Sequence, residues 1–234
     1  MKILTVISNY NEEKAIHSTI VDFLNNSTIN SDLLVIDNCS TDDSLKIVRN
    51  MKTDYLRHPV NTGGSSGVLK TAFEYAFRYK YDIYCHMDGD NQHKASELQK
   101  IIEPILRDEA DVVTGSRFID KEGYQSLFMR RQTIFFFSWL VSSITKSRFT
   151  DITSGFRAFN RKAIEFFAID FRQEIETIVQ LELVMFYSGL RSTDVQVTME
   201  PRKTGRSEYN LRNILKFPAY NIVSLFGTLI QNYK

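Results

Sequence analysis

The stretch that decides the fold reads Tyr81-Asp82-Ile83-Tyr84-Cys85-His86-Met87-Asp88-Gly89-Asp90. Residues 81–87 have the composition of a buried strand, and this strand runs directly into Asp88 and Asp90, two carboxylates one residue apart. Carboxylates at the point where a strand meets a loop can hold a hard divalent cation, which can neutralise a diphosphate. Asp and Gly are also common in solvated turns, so a plain surface turn is the alternative for this pair by itself.

Segments of strand and helix character alternate through the first half of the chain. Strands are predicted at residues 3–7, 33–36, 54–56, 81–87 and 111–114, and helices at 12–24, 41–51, 68–79 and 95–106. This alternation predicts an α/β fold with a mostly parallel sheet and helices on both faces. Ligands of such sheets bind at the carboxyl ends of the strands. We expect a binding site there, because polar clusters follow the predicted strands at residues 8–13, 37–43, 61–67 and 88–93.

The second half contains two apolar segments that are too short or too polar to cross a bilayer. Residues 128–144 carry an aromatic run between cations, and residues 211–233 form a second apolar segment that Pro218 interrupts. Such segments can lie in a membrane interface as amphipathic helices, and buried core helices are the alternative. We expect one domain over residues 1–208, with an interfacial helix at about 128–146, and a C-terminal amphipathic helical tail over 209–234.

The composition fits an ordinary folded protein of one large domain. The chain of 234 residues has a formal net charge of +1, so no global field favours nucleic acid as a partner. Cys39 and Cys85 lack C-x-x-C spacing, which predicts reduced thiols in a cytoplasmic protein. The apolar run at residues 1–7 is too short for the core of a signal peptide.

Several motifs taken together resemble the family 2 glycosyltransferases of GT-A fold, which is Rossmann-like. Residues 6–13, 35–42 and 88–90 carry this resemblance, and residues 88–93, 115–118 and 154–160 resemble the polyprenyl-phosphate (dolichyl-phosphate mannose synthase-like) branch. The resemblance covers about residues 1–208. It implies inverting transfer of a sugar from a nucleotide diphosphate sugar to a polyprenyl phosphate at the inner face of the cell membrane. A UDP-sugar is the favoured donor, and GDP-mannose also fits.

The resemblance also implies a role for individual residues. It implies that Mg²⁺ or Mn²⁺ and the diphosphate are bound by Asp88, Asp90 and Gln92. It also implies that the nucleoside is bound by Tyr10, Glu12 and Asp37. The cations that it places on the phosphates are Arg117 and Arg131, with Arg130 as a register alternative, and Arg202 and Arg206 on a basic loop. Asp151 would line the catalytic pocket together with Asp90, Arg117 and Arg131. Guanidinium suits phosphate because its donors form a planar fork.

The chain departs from the family pattern at several positions. Ser8 stands where proline is usual, Asn38 stands where a second Asp is usual, and the loop at residues 61–67 lacks a cation. Glu208 replaces a common Lys, and the acidic residue expected on the helix before Gly189 is either Glu176 or Glu182. These departures leave the base and the sugar of the donor open.

Two other functions remain as alternatives. The first is a family 2 transferase that acts on a saccharide hydroxyl, which needs a carboxylate to accept the proton, and Asp151 is the candidate. The second is a binding module that keeps the fold without turnover. A phosphate acceptor is already an anion at neutral pH and needs no such base. The expected partners are the membrane surface and a small membrane protein or a second copy of the chain.

Overall fold

The centre of the protein is a seven-stranded sheet. This computed structural model describes residues 1–120, 128–171, 177–202 and 221–223. Within them the strands are β1 (Ile3–Asn9), β2 (Asp32–Asp37), β3 (Asp54–Arg57), β4 (Ile83–Asp88), β5 (Val112–Ser116), β6 (Arg157–Asn160) and β7 (Ser192–Gln196). They are ordered β3-β2-β1-β4-β6-β5-β7.

All neighbouring strands are parallel except where β6 is involved. Strand β6 runs antiparallel to both β4 and β5, with Arg157 opposite His86 on one side and Thr114 on the other. The first residue of β6 therefore lies close to the edge at which β4 and β5 end. The prediction of a mostly parallel α/β sheet is confirmed.

Helices cover both faces of this sheet. They are α1 (Ile16–Asn26), α2 (Ser44–Asn50), α3 (Ser65–Arg78), α4 (Leu98–Leu106), α5 (Phe128–Thr145), α6 (Arg161–Glu165) and α7 (Ile178–Tyr187). Successive side chains of a strand point to opposite faces, so β1 places Leu4 and Val6 in one core cluster and Ile3 and Ile7 in the other. Both faces are apolar because both are covered by helices.

The structure differs from the sequence prediction mainly at the ends of elements. Helix α1 begins at Ile16 and not at residue 12, because residues 12–15 form a turn in which the carbonyl of Glu12 accepts from Ala15 and Ile16. Helix α6 and the π-helical turn Phe166–Asp170 were not predicted. Helix α6 begins at a cap, since the side chain of Asn160 accepts from the backbone N–H of Ala163.

Helix α5 confirms a helix at the predicted aromatic segment. It packs against α7 through a separate apolar cluster made of Phe137, Val141, Phe149, Ile152, Val179 and Leu183. Its opposite side leaves Phe136 50% and Trp139 63% exposed. Among the described residues, no helix has both the length and the apolar character needed to span a bilayer. Apart from residues 221–223, the predicted tail at 209–234 lies outside the described residues.

Asp111 joins three segments at the start of β5. Its carboxylate accepts from the backbone N–H of Arg191 at 2.9 Å, from Nδ2 of Asn160 at 2.9 Å and from Nζ of Lys162 at 3.3 Å. Burial raises the pKa of Asp111, but the hydrogen bonds from Arg191, Asn160 and Lys162 outweigh it and hold the pKa below its ordinary value.

We expect Asp111→Asn to lower the free energy of unfolding by about 2 kcal/mol at pH 7, the scale of hydrogen bonds to a charged group. Because the folded pKa is depressed, the contribution of the carboxylate is present above the unfolded pKa of about 3.9 and is lost as the pH falls through the folded pKa. Urea unfolding at pH 7 and pH 3 measures both values. A difference between variant and wild type that is equally large at pH 3 contradicts this account.

Candidate active site at the carboxyl edge of the sheet

The chain turns sharply where β4 ends. Asp88 pairs with Ser8 of β1, and the N–H of Gly89 donates to the carbonyl of Ser8 at 2.8 Å. A Cβ atom at Gly89 would lie 2.7 Å from that carbonyl oxygen, so the close approach of the two strands requires glycine. Thr19 donates its hydroxyl to the carbonyl of Gly89 at 2.9 Å. These contacts fix the turn that separates Asp88 from Asp90.

The carboxylate of Asp88 lies between two histidines and a hydroxyl. Nε2 of His86 is 3.7 Å from Oδ1, Nε2 of His93 is 3.6 Å from Oδ2, and Ser8 donates to Oδ1 at 3.3 Å. Burial raises the pKa of Asp88, but His93, His86 and Ser8 outweigh it and hold the pKa below its ordinary value. Asp88 is therefore ionised at neutral pH.

His93 helps to orient Asp88 through a hydrogen bond with its backbone. The backbone N–H of Asp88 donates to Nδ1 of His93 at 3.0 Å, so the proton of the neutral ring is on Nε2. Burial lowers the pKa of His93, which keeps the ring neutral at pH 7. His86 is not among the predicted site residues, although it precedes Asp88 by two residues and alternate residues of a strand share a face.

Gly155 approaches Asp88 from the opposite side. A Cβ atom at Gly155 would lie 3.0 Å from Oδ2 and 3.1 Å from Oδ1 of Asp88. The Ser154-Gly155-Phe156 stretch therefore packs its backbone directly against this carboxylate. The φ angle of Gly155 does not lie in the left-handed region, so backbone conformation does not require a glycine there. The lack of space for a Cβ atom is the reason for the glycine.

Asp90 and Glu12 meet at Arg202. One guanidinium nitrogen of Arg202 contacts Oε1 of Glu12, and Nη1 lies 3.5 Å from Oδ2 of Asp90. Burial raises the pKa of Asp90, and the nearby charge of Asp88 raises it further. Burial also raises the pKa of Glu12 to about 7, although Arg202 opposes the shift. The structure thus brings together three predicted residues that lie far apart in the chain.

Contacts of Gln92 bring the segment that carries Arg202 close to Asp90. The backbone of Gln92 accepts from Glu200 at 3.0 Å, its side-chain Nε2 donates to the carbonyl of Glu200 at 3.2 Å, and His93 forms an isolated bridge with Met199. The segment after β7 therefore pairs with the segment after Asp90. Since Nε2 is used in this contact, Oε1 is the atom with which Gln92 would contact a cation.

The predicted nucleoside residues have different surroundings. Tyr10 is exposed, whereas Asp37 is fully buried. Oδ1 of Asp37 accepts from Nδ2 of Asn9 at 2.7 Å, and Oδ2 accepts from the N–H of Ser40 at 3.1 Å. Asp37 shapes the loop after β2 in this structure, and its direct contact with a nucleoside stays a prediction.

Asn38 holds the glycine-rich loop in place. Its Nδ2 donates to the carbonyl of Gly64 at 2.9 Å, and its Oδ1 accepts from the N–H and the hydroxyl of Thr62 at 3.0 and 2.8 Å. An aspartate could not donate to Gly64. Two departures from the family pattern, Asn38 and the loop without a cation, therefore form one structural unit.

Arg117 and Asp151 form a buried, two-pronged ion pair. Nε of Arg117 lies 2.7 Å from Oδ2 of Asp151 and Nη2 lies 3.0 Å from Oδ1. The Asp151 side chain is fully buried, and Thr153 donates to Oδ1 at 2.9 Å. Asp151 is therefore poorly placed to accept a proton from a hydroxyl. Both residues belong to the predicted pocket, and their pairing with each other was not predicted.

The structure describes the remaining charged residues named in the sequence analysis only in part. Arg131 is partly buried on the first turns of α5. The side chain of Arg130 is not described, and Arg206, Glu176 and Glu208 lie outside the described residues. Glu182 is described: its side chain is buried on α7, and its Oε1 lies 2.6 Å from Nη2 of Arg157.

The residues at the end of β4 fit a hard divalent cation. Among the described residues, no group of three or more His, Cys, Asp and Glu side chains could hold a metal ion. A cation held by one or two carboxylates together with substrate phosphates needs no such group. Asp88, Asp90 and Gln92 offer oxygen atoms, and the raised pKa of Asp90 beside Asp88 indicates a place where added positive charge is favourable.

Comparison with solved structures identifies the fold as GT-A. Glucosyl-3-phosphoglycerate synthase from Mycobacterium tuberculosis, crystallised with Mn²⁺, UDP and phosphoglyceric acid, aligns with a TM-score of 0.67 and 16% identity. The alignment covers 97% of this chain and 78% of that chain. S. aureus TarS, crystallised with UDP-GlcNAc, aligns with a TM-score of 0.61 over 99% of this chain and 68% of that chain, at 15% identity. Both alignments cover nearly the whole of this chain, so the likeness concerns the entire fold.

The chain belongs to glycosyl transferase family 2, whose model matches residues 5–169. A relative from Methanococcus voltae, named UDP-N-acetylglucosamine–dolichyl-phosphate N-acetylglucosaminyltransferase, is 25% identical over 231 residues, which cover 89% of this chain and 88% of the relative. The undecaprenyl-phosphate mannosyltransferase of Micrococcus luteus is 25% identical over 218 residues, covering 89% and 87%. These relatives confirm the resemblance to the polyprenyl-phosphate branch.

Gly155→Ala tests the contact between the Ser-Gly-Phe stretch and Asp88. We expect at least a tenfold loss of Mn²⁺ affinity in the presence of a nucleoside diphosphate, measured by electron paramagnetic resonance, because the new Cβ displaces the Asp88 carboxylate. Gly189→Ala is the matched control: its φ is +71° and a Cβ there meets no atom within 4 Å. It should cost about 1 kcal/mol of stability and leave Mn²⁺ affinity unchanged. Equal affinities in the two variants contradict the role of Gly155.

Proposed function

We propose that this protein transfers a sugar, with inversion, from a nucleotide diphosphate sugar to a polyprenyl phosphate. The observation that carries the proposal is the pairing of Asp151 with Arg117. The base candidate for a hydroxyl acceptor is buried and bound on both oxygens, whereas a phosphate acceptor needs no base. The names of the M. voltae and M. luteus relatives support the same acceptor class.

The donor is proposed to be a UDP-sugar, with GDP-mannose as the other candidate. The name of the M. voltae relative contains UDP-N-acetylglucosamine, and the M. tuberculosis synthase was crystallised with UDP. Tyr10, Glu12 and Asp37 would line the nucleoside end of the site. Of these, Glu12 has a direct link to the phosphate end through its contact with Arg202.

The chemistry requires two anionic groups to meet. Asp88, Asp90 and Gln92 would hold Mg²⁺ or Mn²⁺, which when bound neutralises the leaving diphosphate. Arg202 would exchange its contacts with Glu12 and Asp90 for the donor phosphates. Arg131 and Arg206 would receive the acceptor phosphate, and Arg117, held in place by Asp151, would contact the donor diphosphate. An acceptor oxygen then attacks the anomeric carbon, and the bond from that carbon to the diphosphate oxygen breaks.

We propose peripheral attachment to the inner face of the cell membrane. Helix α5 exposes Phe135, Phe136 and Trp139 on one side, and exposed Lys146 and Arg148 follow it. Aromatic side chains and nearby cations are typical of helices that lie at the headgroup level of anionic membranes. Residues 1–208 would form the catalytic domain, and residues 209–234 would contact the membrane, a small membrane protein or a second copy of the chain.

The test of function is a panel of nucleotide sugars incubated with polyprenyl phosphate and Mg²⁺ or Mn²⁺, followed by extraction into organic solvent. We expect one donor to yield a mild-acid-labile lipid product that carries a single phosphate. Excess EDTA should abolish its formation. Transfer to a free oligosaccharide, with none to polyprenyl phosphate, would establish the saccharide-hydroxyl alternative instead.

Asp90→Asn should lower the rate of transfer about 100-fold or more, the scale seen when one electrostatic contact to the transition state is removed. The fold should remain, because the side chain keeps its size. Asp43→Asn is the matched control, since the Asp43 side chain is 70% exposed at the start of α2. An Asp90→Asn variant that retains full activity would rule out the proposed ligand.

Trp139→Ala tests membrane attachment. We expect it to reduce flotation with anionic liposomes severalfold, because an exposed aromatic ring at the interface is lost. Flotation of the wild type should decrease at high salt and with neutral lipid. Tyr79→Ala, which removes an exposed aromatic residue that follows α3, is the control and should float like wild type. If the two variants float equally well, α5 is not the contact.

A further inference from the structure

We propose that Glu182 is a positioning residue for the transfer reaction: acting through Arg157, it fixes the turn at residues 151–156 that directs Arg117 and Asp88 toward the donor diphosphate. The role rests on the proposed function, because it concerns the alignment of groups that would face that diphosphate. Glu182 lies on α7, which packs against α5 through Leu183 and against the sheet core through Val184.

The first step is a buried ion pair. Oε1 of Glu182 lies 2.6 Å from Nη2 of Arg157, and the side chains are 0% and 4% exposed. Arg157 then donates from Nη2 to the carbonyl of Ile152 and from Nε to the carbonyl of Ser154, both at 2.9 Å. The guanidinium therefore links α7 to two carbonyls in the middle of the turn.

The second step is the contact of this turn with both functional groups. Asp151, at its start, binds the guanidinium of Arg117 with both oxygens. Gly155, near its end, packs against Asp88 so closely that a Cβ would be 3.0 Å from the carboxylate. A rotation or shift of the turn would therefore move Arg117 and release Asp88 together.

Further hydrogen bonds hold the two ends of the turn. Oδ2 of Asp194 accepts from the N–H and the hydroxyl of Thr150, at 2.5 and 2.7 Å. The N–H of Gly115 donates to the carbonyl of Phe156 at 2.8 Å. Arg157 holds the middle, where its planar fork can fix two carbonyl directions at once.

Burying the Glu182–Arg157 ion pair costs desolvation free energy, which argues that the pair positions the turn and does not mainly stabilise the fold. Burial raises the pKa of Glu182 to about 7, although Arg157 opposes the shift. A buried ion pair is weak evidence for stability, because apolar residues of similar volume often stabilise a core equally well. Apolar residues could not hold the two carbonyls of the turn, which is what Arg157 does.

Glu182→Gln removes the charge and keeps the size, and at pH 8 the wild-type carboxylate is ionised. The first readout is the Nε–H signal of Arg117 in ¹H–¹⁵N spectra, assigned by its loss in Arg117→Lys. We expect this signal to shift and to exchange faster with solvent. The second readout is steady-state kinetics, in which kcat should fall at least tenfold while the donor KM changes less than threefold. Arg157→Lys, which cannot hold both carbonyls, should give the same changes if Glu182→Gln fails to fold.

Asp111→Asn is the matched control. It also removes a buried carboxylate paired with an arginine, at the opposite end of β5. It should lower stability and leave the Arg117 signal and kcat unchanged. Folded Glu182→Gln with an unaltered Arg117 signal, or Asp111→Asn with the same changes, overturns the proposal. A wild type that glycosylates no lipid refutes the proposed function, while the Arg117 signal still decides the positioning role.

Discussion

The crowding of negative charge at the end of β4 is the constraint on which the site depends. Asp88 and Asp90 lie one residue apart beside the buried core, and Glu12 approaches from the loop after β1. Burial and mutual repulsion raise the pKa of Asp90, so these groups stay ionised only where positive charge is near. Arg202 supplies that charge by contacting Glu12 and Asp90 at once. The segment after β7, which pairs with Gln92 and His93, carries Arg202 to this place.

The reversed strand β6 makes the second half of the site possible. Because β6 runs against its neighbours, the turn before it lies at the same edge at which β4 and β5 end. A parallel strand would have placed residues 151–156 at the opposite edge, far from Asp88. The reversal therefore brings Asp151 to Arg117 and Gly155 to Asp88, and it puts Arg157 beneath the turn that precedes it.

Local patterns were sufficient to predict the strand that ends at Asp88, since its apolar run and the carboxylates are adjacent in the chain. The pairing of Arg117 with Asp151 depends on a tertiary contact across 34 residues, and no local pattern contains it. The role of Asn38 could not be predicted locally either, because its side-chain amide donates to the carbonyl of Gly64, 26 residues away. Helix α6 was missed because five residues are too few to display a helical period.

The distribution of arginines bears on which acceptor the site suits. Arg117 and Arg157 are each buried with a carboxylate, so their charges are balanced inside the protein. Arg202 is partly exposed, and its partners belong to the groups proposed to face the donor. If phosphates replace Glu12 and Asp90 as the partners of Arg202, a divalent cation would balance Asp90, and Glu12, whose pKa is about 7, would take up a proton. A neutral saccharide acceptor would bring no negative charge to this edge. A phosphate acceptor therefore makes better use of the cations that the fold gathers there.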